Sequence, residues 1–168
     1  MHRLALLAVL VALLVACGGD EESAAPTTSP GTTSAPATTG EEEDAGPRVV
    51  IETEAGEVVL DVEVADSAEE RQVGLMNRES LPRDAGMIFL FEENSSGGFW
   101  MKNTLIPLSI AFADAGGSIL RILDMEPCEA DPCEIYDPGV FYRSALEVNQ
   151  GAFERLGVEE GDRLRLER

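Results

Sequence analysis

"RVVIETEAGEVVLDVEV" (Arg48 to Val64) alternates apolar and polar residues on both sides of Ala55-Gly56. Side chains alternate between the two faces of a strand, so this pattern predicts a β-hairpin from Arg48 to Val64 with one face buried. Working outward, "DSAEERQVGLMNR" places Ser67 and Glu70 at capping-box spacing, which starts a short helix running to about Met76. "GMIFLFE" (Gly86 to Glu92), "GFWM" and "LSIAFAD" read as strands, the last two split by a corner from Asn103 to Pro107. "DAGGS" turns the chain into "ILRILDME" as a second hairpin. "RSALEV" is a further strand, "GAFERLG" a short helix ending at Gly157, and "EEGDRLRLE" a turn and last strand with Leu164 and Leu166 on one face. The expected fold is α+β and β-dominated: a small, mixed, barrel-like sheet of about eight short strands with two short helices.

The hairpin also marks where the folded part begins. From Gly18 to Gly46 the chain carries no aromatic or large aliphatic residue, much Thr, Ser, Pro and Gly, and seven acids without a base. Such a segment buries too little apolar surface to offset its ordering entropy, which predicts a disordered tether with a reach of roughly 30 Å. Ahead of it, "MHRLALLAVLVALLVA" has His2 and Arg3 followed by an apolar run too short to span a membrane comfortably, the layout of a secretory signal. The run ends in "LVAC", which resembles the lipobox of bacterial lipoproteins. That resemblance implies cleavage after Ala16 and fatty acylation of Cys17. The expected organisation is a signal peptide over 1–16, a lipidated Cys17 and acidic tether over 17–46, and one domain over 47–168. The expected address is the extracytoplasmic side of a cell membrane, with Cys17 as the lipid anchor.

Charge and missing residues remove whole classes of function. The chain has a formal charge of −20, and residues 47–168 alone hold 25 acids against 11 bases, a net of −14. Such a surface repels phosphate backbones, so no nucleic-acid partner is expected. The one histidine, His2, lies in the signal. A mature chain without imidazole has no Ser-His-Asp or Cys-His triad and no histidine zinc site. Cys128 and Cys133 in "EPCEADPCEIY" read as a disulfide closing a small loop. Four residues separate them, two of them acids, which argues against a redox-active pair. The acids of that loop offer oxygens to Ca²⁺, but their spacing fits no EF-hand loop and a solvated acidic loop is the plainer reading. No metal site and no cofactor are assigned.

The strands carry motifs as well as periodicity. "RQVGLMNRESLPRDAGMIFLFE", "FWMKNTLIPLSIAF", a Cys-x4-Cys-x2-Tyr run and "ALEVNQGAFERLGVEEGDRL" occur in that order between about Val58 and Leu166. Together they resemble uncharacterised protein family 0127, also called domain of unknown function 192. In that family three blocks recur, matched here by Gly74-Leu75-Met76, by Trp100-Met101-Lys102-Asn103-Thr104 and by Gly161-Asp162. The family usually reads Pro-Leu-Asp where this chain has Pro107, Leu108 and Ser109, so any role of that Asp is in doubt here. The resemblance implies a fold and brings no established activity.

The block from Trp100 to Thr104 holds the chain's one Trp and its one Lys. As a structural corner, Phe99, Met101, Leu105 and Leu108 would be core, and Asn103 and Thr104 would bond the backbone. As a recognition surface, Trp100, Lys102, Asn103 and Thr104 would line a groove for a carboxylate or a sugar. Arg71 either joins such a ligand site or pairs with Glu69, Glu70 or Glu79. Glu147, between Leu146 and Val148, is the acid expected to be partly buried and a candidate acid or base. Two functions follow. One is a non-catalytic module binding a small polar ligand, a peptide or an envelope component. The other is an envelope hydrolase or transferase with Glu147 and Asp162 as paired carboxylates. The lack of a Gly-x-Ser-x-Gly or other nucleophile motif favours binding.

Overall fold

The structure, a computed structural model, describes residues 46–168. The expected signal, Cys17 and nearly all of the tether lie outside the described residues. Nine strands and two helices follow in the order β1 (Arg48–Thr53), β2 (Gly56–Ala65), α1 (Ala68–Val73), β3 (Ala85–Ser95), β4 (Phe99–Trp100), β5 (Leu108–Ala113), β6 (Ile119–Met125), β7 (Ile135–Tyr136), β8 (Tyr142–Asn149), α2 (Ala152–Leu156) and β9 (Arg163–Glu167). The expected hairpin is β1–β2, with Thr53 opposite Gly56. The helix after Ser67 has both arms of its capping box, with the Ser67 hydroxyl accepting from Glu70 N–H and the Glu70 carboxylate accepting from Ser67 N–H. It stops at Val73, because Gly74 leaves the helical region at φ 49°.

Seven strands form one mixed sheet in the order β6-β5-β8-β3-β2-β1-β9, with β2 and β3 parallel and the other neighbours antiparallel. The sheet curls until its edges meet at one end. There Gly161 N–H donates to Ile119 O, Ile119 N–H to Asp162 O and Leu164 N–H to Gly117 O, each at 2.8 Å. Gly117 makes this seam possible: its φ is +81° and a Cβ would lie 2.1 Å from the Leu164 carbonyl oxygen. β4 and β7 form a separate two-stranded ribbon. β7 escaped the sequence reading because two residues inside a Pro- and Cys-rich loop carry no period.

Two apolar cores lie on opposite faces of the central strands. Inside the curled sheet, Ile51, Leu60, Ile88, Leu146 and Leu164 pack around Phe153 of α2. On the outer face, Met87, Phe89, Ile110 and Phe112 pack beneath Leu75 and Met101 from the connecting segments. β5 serves both cores and is buried at every position. Leu105 departs from its expected place in the core and is exposed, because the corner turns it outward. Ser109, where the family usually has Asp, donates its hydroxyl to Asp124 directly across the β5–β6 ladder and accepts from Gly151 N–H at 2.9 Å. It thereby ties β6 to the start of α2.

Candidate functional site

The outer core holds the chemistry. Glu147 sits on β8 between Met87 of β3 and Ile110 of β5, with Leu146 and Val148 turned into the curled sheet. It is 5% exposed and its carboxyl group has no hydrogen-bond partner among the described residues, but its oxygens are not fully shut off from solvent, since no solvent-excluded side-chain oxygen or nitrogen there lacks a partner. Burial alone pushes its pKa up from 4.5 to about 8, so the resting carboxyl is protonated at neutral pH.

A cavity of about 40 Å³ opens over this carboxyl group, enough for a few waters or one small polar group. Its lining includes Arg71, Gly74 and Met76 from α1 and the turn behind it, Trp100 and Thr104 from the second motif block, and Glu147. The turn belongs there because Gly74 adopts φ +49°, and a Cβ would lie 3.2 Å from the Phe89 ring. The two blocks are pinned together by Asn77 N–H, which donates to Asn103 O at 2.7 Å. Both Asn77 and Asn103 sit in the left-handed region, at φ 61° and 57°, which asparagine tolerates better than most residues.

Of the five ligand candidates, Arg71, Trp100 and Thr104 line the cavity and Lys102 and Asn103 do not. Thr104 is buried and Trp100 is exposed at the rim. Lys102 Nζ lies 5.7 Å from the Trp100 ring centroid, but β4 ends at Trp100 and Lys102 sits in the turn behind it, so the turn and not strand alternation brings the two together. The ammonium group is not free, however, because it pairs with Asp131 at 3.2 Å. Arg71 has none of the acidic partners weighed for it. Its Nη1 donates to the carbonyl oxygens of Asp66 at 2.6 Å and Leu90 at 2.8 Å, and its guanidinium lies 5.0 Å over Phe91.

Cys128 and Cys133 are joined in a disulfide, and the small loop between them carries Asp131 to Lys102. Their sulfur atoms and an Asp131 oxygen lie within 4.8 Å of one another, but the disulfide leaves no thiolate for a metal. Asp162 is not brought to Glu147. Its carboxylate accepts from Glu159 N–H at 2.8 Å in the turn before β9, and the cavity over Glu147 has no second carboxylate among the described residues. The part of Gly74 and Met76 in this site was signalled only by the recurrence of their block.

Two of the three motif blocks, Gly74-Leu75-Met76 and Trp100 to Thr104, meet at the cavity while Gly161-Asp162 lies at the seam, and a family match covers all three. The family model of DUF192, described as Uncharacterized ACR, matches residues 49–166. The chain belongs to the DUF192 family. Among solved structures, a Sinorhizobium meliloti 1021 protein named "putative transcription regulator" shares 37% identity at a TM-score of 0.66, covering 71% of this chain and 92% of that one. A protein of unknown function from Novosphingobium aromaticivorans DSM 12444 shares 31% identity at a TM-score of 0.65, covering 70% of this chain and 83% of its own. A search of curated proteins gives no match. The DUF192 match thus spans both cores and the cavity between α1, the ribbon and β8.

Proposed function

We propose that this DUF192 protein is a membrane-tethered extracytoplasmic lipoprotein whose domain binds a small polar ligand in the cavity over Glu147. The observation that carries the binding reading is the nearly buried Glu147 carboxyl, which has no hydrogen-bond partner among the described residues and meets solvent at the cavity where two motif blocks meet. A buried polar group without a partner costs stability, and a bound ligand that completes its hydrogen bonds recovers that cost. Binding is favoured over paired-carboxylate catalysis because Asp162 is committed to its own turn. The Sinorhizobium meliloti relative is named a "putative transcription regulator", and for this chain the −14 charge of residues 47–168 opposes binding to nucleic acid.

The lipoprotein half rests on "LVAC" and the acidic, core-less segment behind it. Cys17→Ser should remove the protein from the membrane fraction, and unchanged partitioning would refute the anchor. For the cavity, the full chain in detergent is screened by thermal shift against sugars, amino acids, peptidoglycan fragments, amines and carboxylates. A compound that raises Tm for the parent and leaves Thr104→Val and Glu147→Gln unmoved supports the site. Equal stabilisation of all three proteins would place binding elsewhere.

A further inference from the structure

We infer that the group bound over Glu147 is a small organic cation, the primary ammonium end of an amine or of a lysine side chain. This inference rests on the cavity being a ligand site and adds the charge of its occupant.

Three observations converge. First, the floor of the cavity is a carboxyl group that lacks a counter-ion, which is the partner a buried acid most requires. Second, the walls are largely aromatic and thioether, with Phe89, Phe99, Trp100 and Met76 lining the space beside Arg71 and Gln72. Electron-rich rings attract ammonium groups and give nothing to a carboxylate. Third, the domain around the opening carries a net charge of −14, which concentrates cations at its surface. The two rim cations are already committed. Lys102 pairs with Asp131, and Arg71 is tied to the Asp66 and Leu90 carbonyls and to Phe91. The structure therefore turns the carboxylate or sugar suggested by Trp100 and Lys102 in the sequence into the opposite charge. A cavity of about 40 Å³ admits the tip of such a ligand. The exposed Val73 and Trp100 side chains at its rim can carry an apolar body.

Binding then has a defined proton balance. The resting Glu147 is a neutral acid; when an ammonium group enters, the O–H bond of Glu147 breaks, its proton leaves to solvent and the carboxylate pairs with the cation. The groups facing Glu147 are Met87 and Phe89 of β3, Ile110 of β5, Arg71 of α1, Phe99 and Trp100 of β4, and Thr104. Arg71 is the charged group in that set, with Lys102 and Asp131 lying beyond the Trp100 ring.

The test titrates the full chain in detergent with methylammonium, N-acetyl-lysinamide and acetate, by calorimetry in two buffers of different ionisation heat. Methylammonium should bind at pH 6.5 with release of close to one proton. Its affinity should rise about tenfold per pH unit and level off above pH 8. Glu147→Gln should abolish binding and proton release together. N-acetyl-lysinamide binding ten times more tightly than methylammonium supports the inference and names a lysyl side chain as the source, while equal binding supports it with a free amine. Acetate binding to the neutral acid without proton release, and no binding of methylammonium, would overturn the cation while leaving the cavity as a ligand site. If none of the three binds and no compound in the thermal screen acts through the cavity, both readings fall.

Discussion

The two cores of the domain share strands β3, β5 and β8 but are built to different specifications. The interior of the curled sheet is a set of aliphatic side chains around Phe153 of α2, bordered by clefts beside Phe153 and Val158 and beside Ile88 and Leu164. The outer core mixes rings and methionines, buries Thr104 and Glu147, and leaves space above a carboxyl group. One face of the same strands is spent on holding the sheet curled, and the other gives up packing for a polar cavity. The alternation of β8 divides the two faces, with Leu146 and Val148 turned one way and Glu147 the other.

Four experiments break or sharpen that contrast. Phe153→Ala should cost about 3–5 kcal/mol in denaturant unfolding, because it empties the centre of the interior core. A loss under about 1 kcal/mol would mean Phe153 does not fill that core. Glu147→Gln should do the reverse. The native carboxyl, raised from 4.5 to about 8, keeps its proton where the unfolded chain has lost it. The contribution of Glu147 to the parent's stability is therefore greatest below pH 4.5 and falls as pH rises toward 8. The amide removes that loss, so the variant should gain on the parent across this window by about 2–5 kcal/mol at pH 8. Parallel pH profiles for the two proteins would show the carboxyl to be solvated.

Smaller effects belong to the rim. Replacing Cys128 and Cys133 by Ser should cost roughly 2 kcal/mol, the loop-closure entropy of so short a loop, and unreduced parent should take up no thiol label at either position. Lys102→Ala breaks an ion pair that is largely exposed on both sides, so its Tm should stay within about 1 °C of the parent. A drop of several degrees would make the Lys102–Asp131 contact a structural clamp.

Local signals in the sequence translated directly into local structure. The β1–β2 hairpin, the capping box of Ser67 and Glu70, and the final turn and strand are each fixed by neighbours within a few residues, so a linear reading reaches them. Glu147 was legible as a buried acid from its apolar neighbours, and Cys128 and Cys133 as a disulfide from their spacing. The cavity was not legible, because Gly74, Trp100 and Glu147 come from three segments that only the sheet order brings together. The pairing of Lys102 with Asp131, 29 residues away, was hidden for the same reason. β5 concealed its role in both cores by being apolar at nearly every position, which leaves no alternation to read.

The seam of the curled sheet bears on how the domain closes. β9 is the final strand of the domain, and it pairs with β1, the first. The turn just before it supplies the hydrogen bonds that join β6 to the far edge. The domain therefore closes only once residues 161–167 are in place, and a chain lacking them keeps two open strand edges on either side of the interior core.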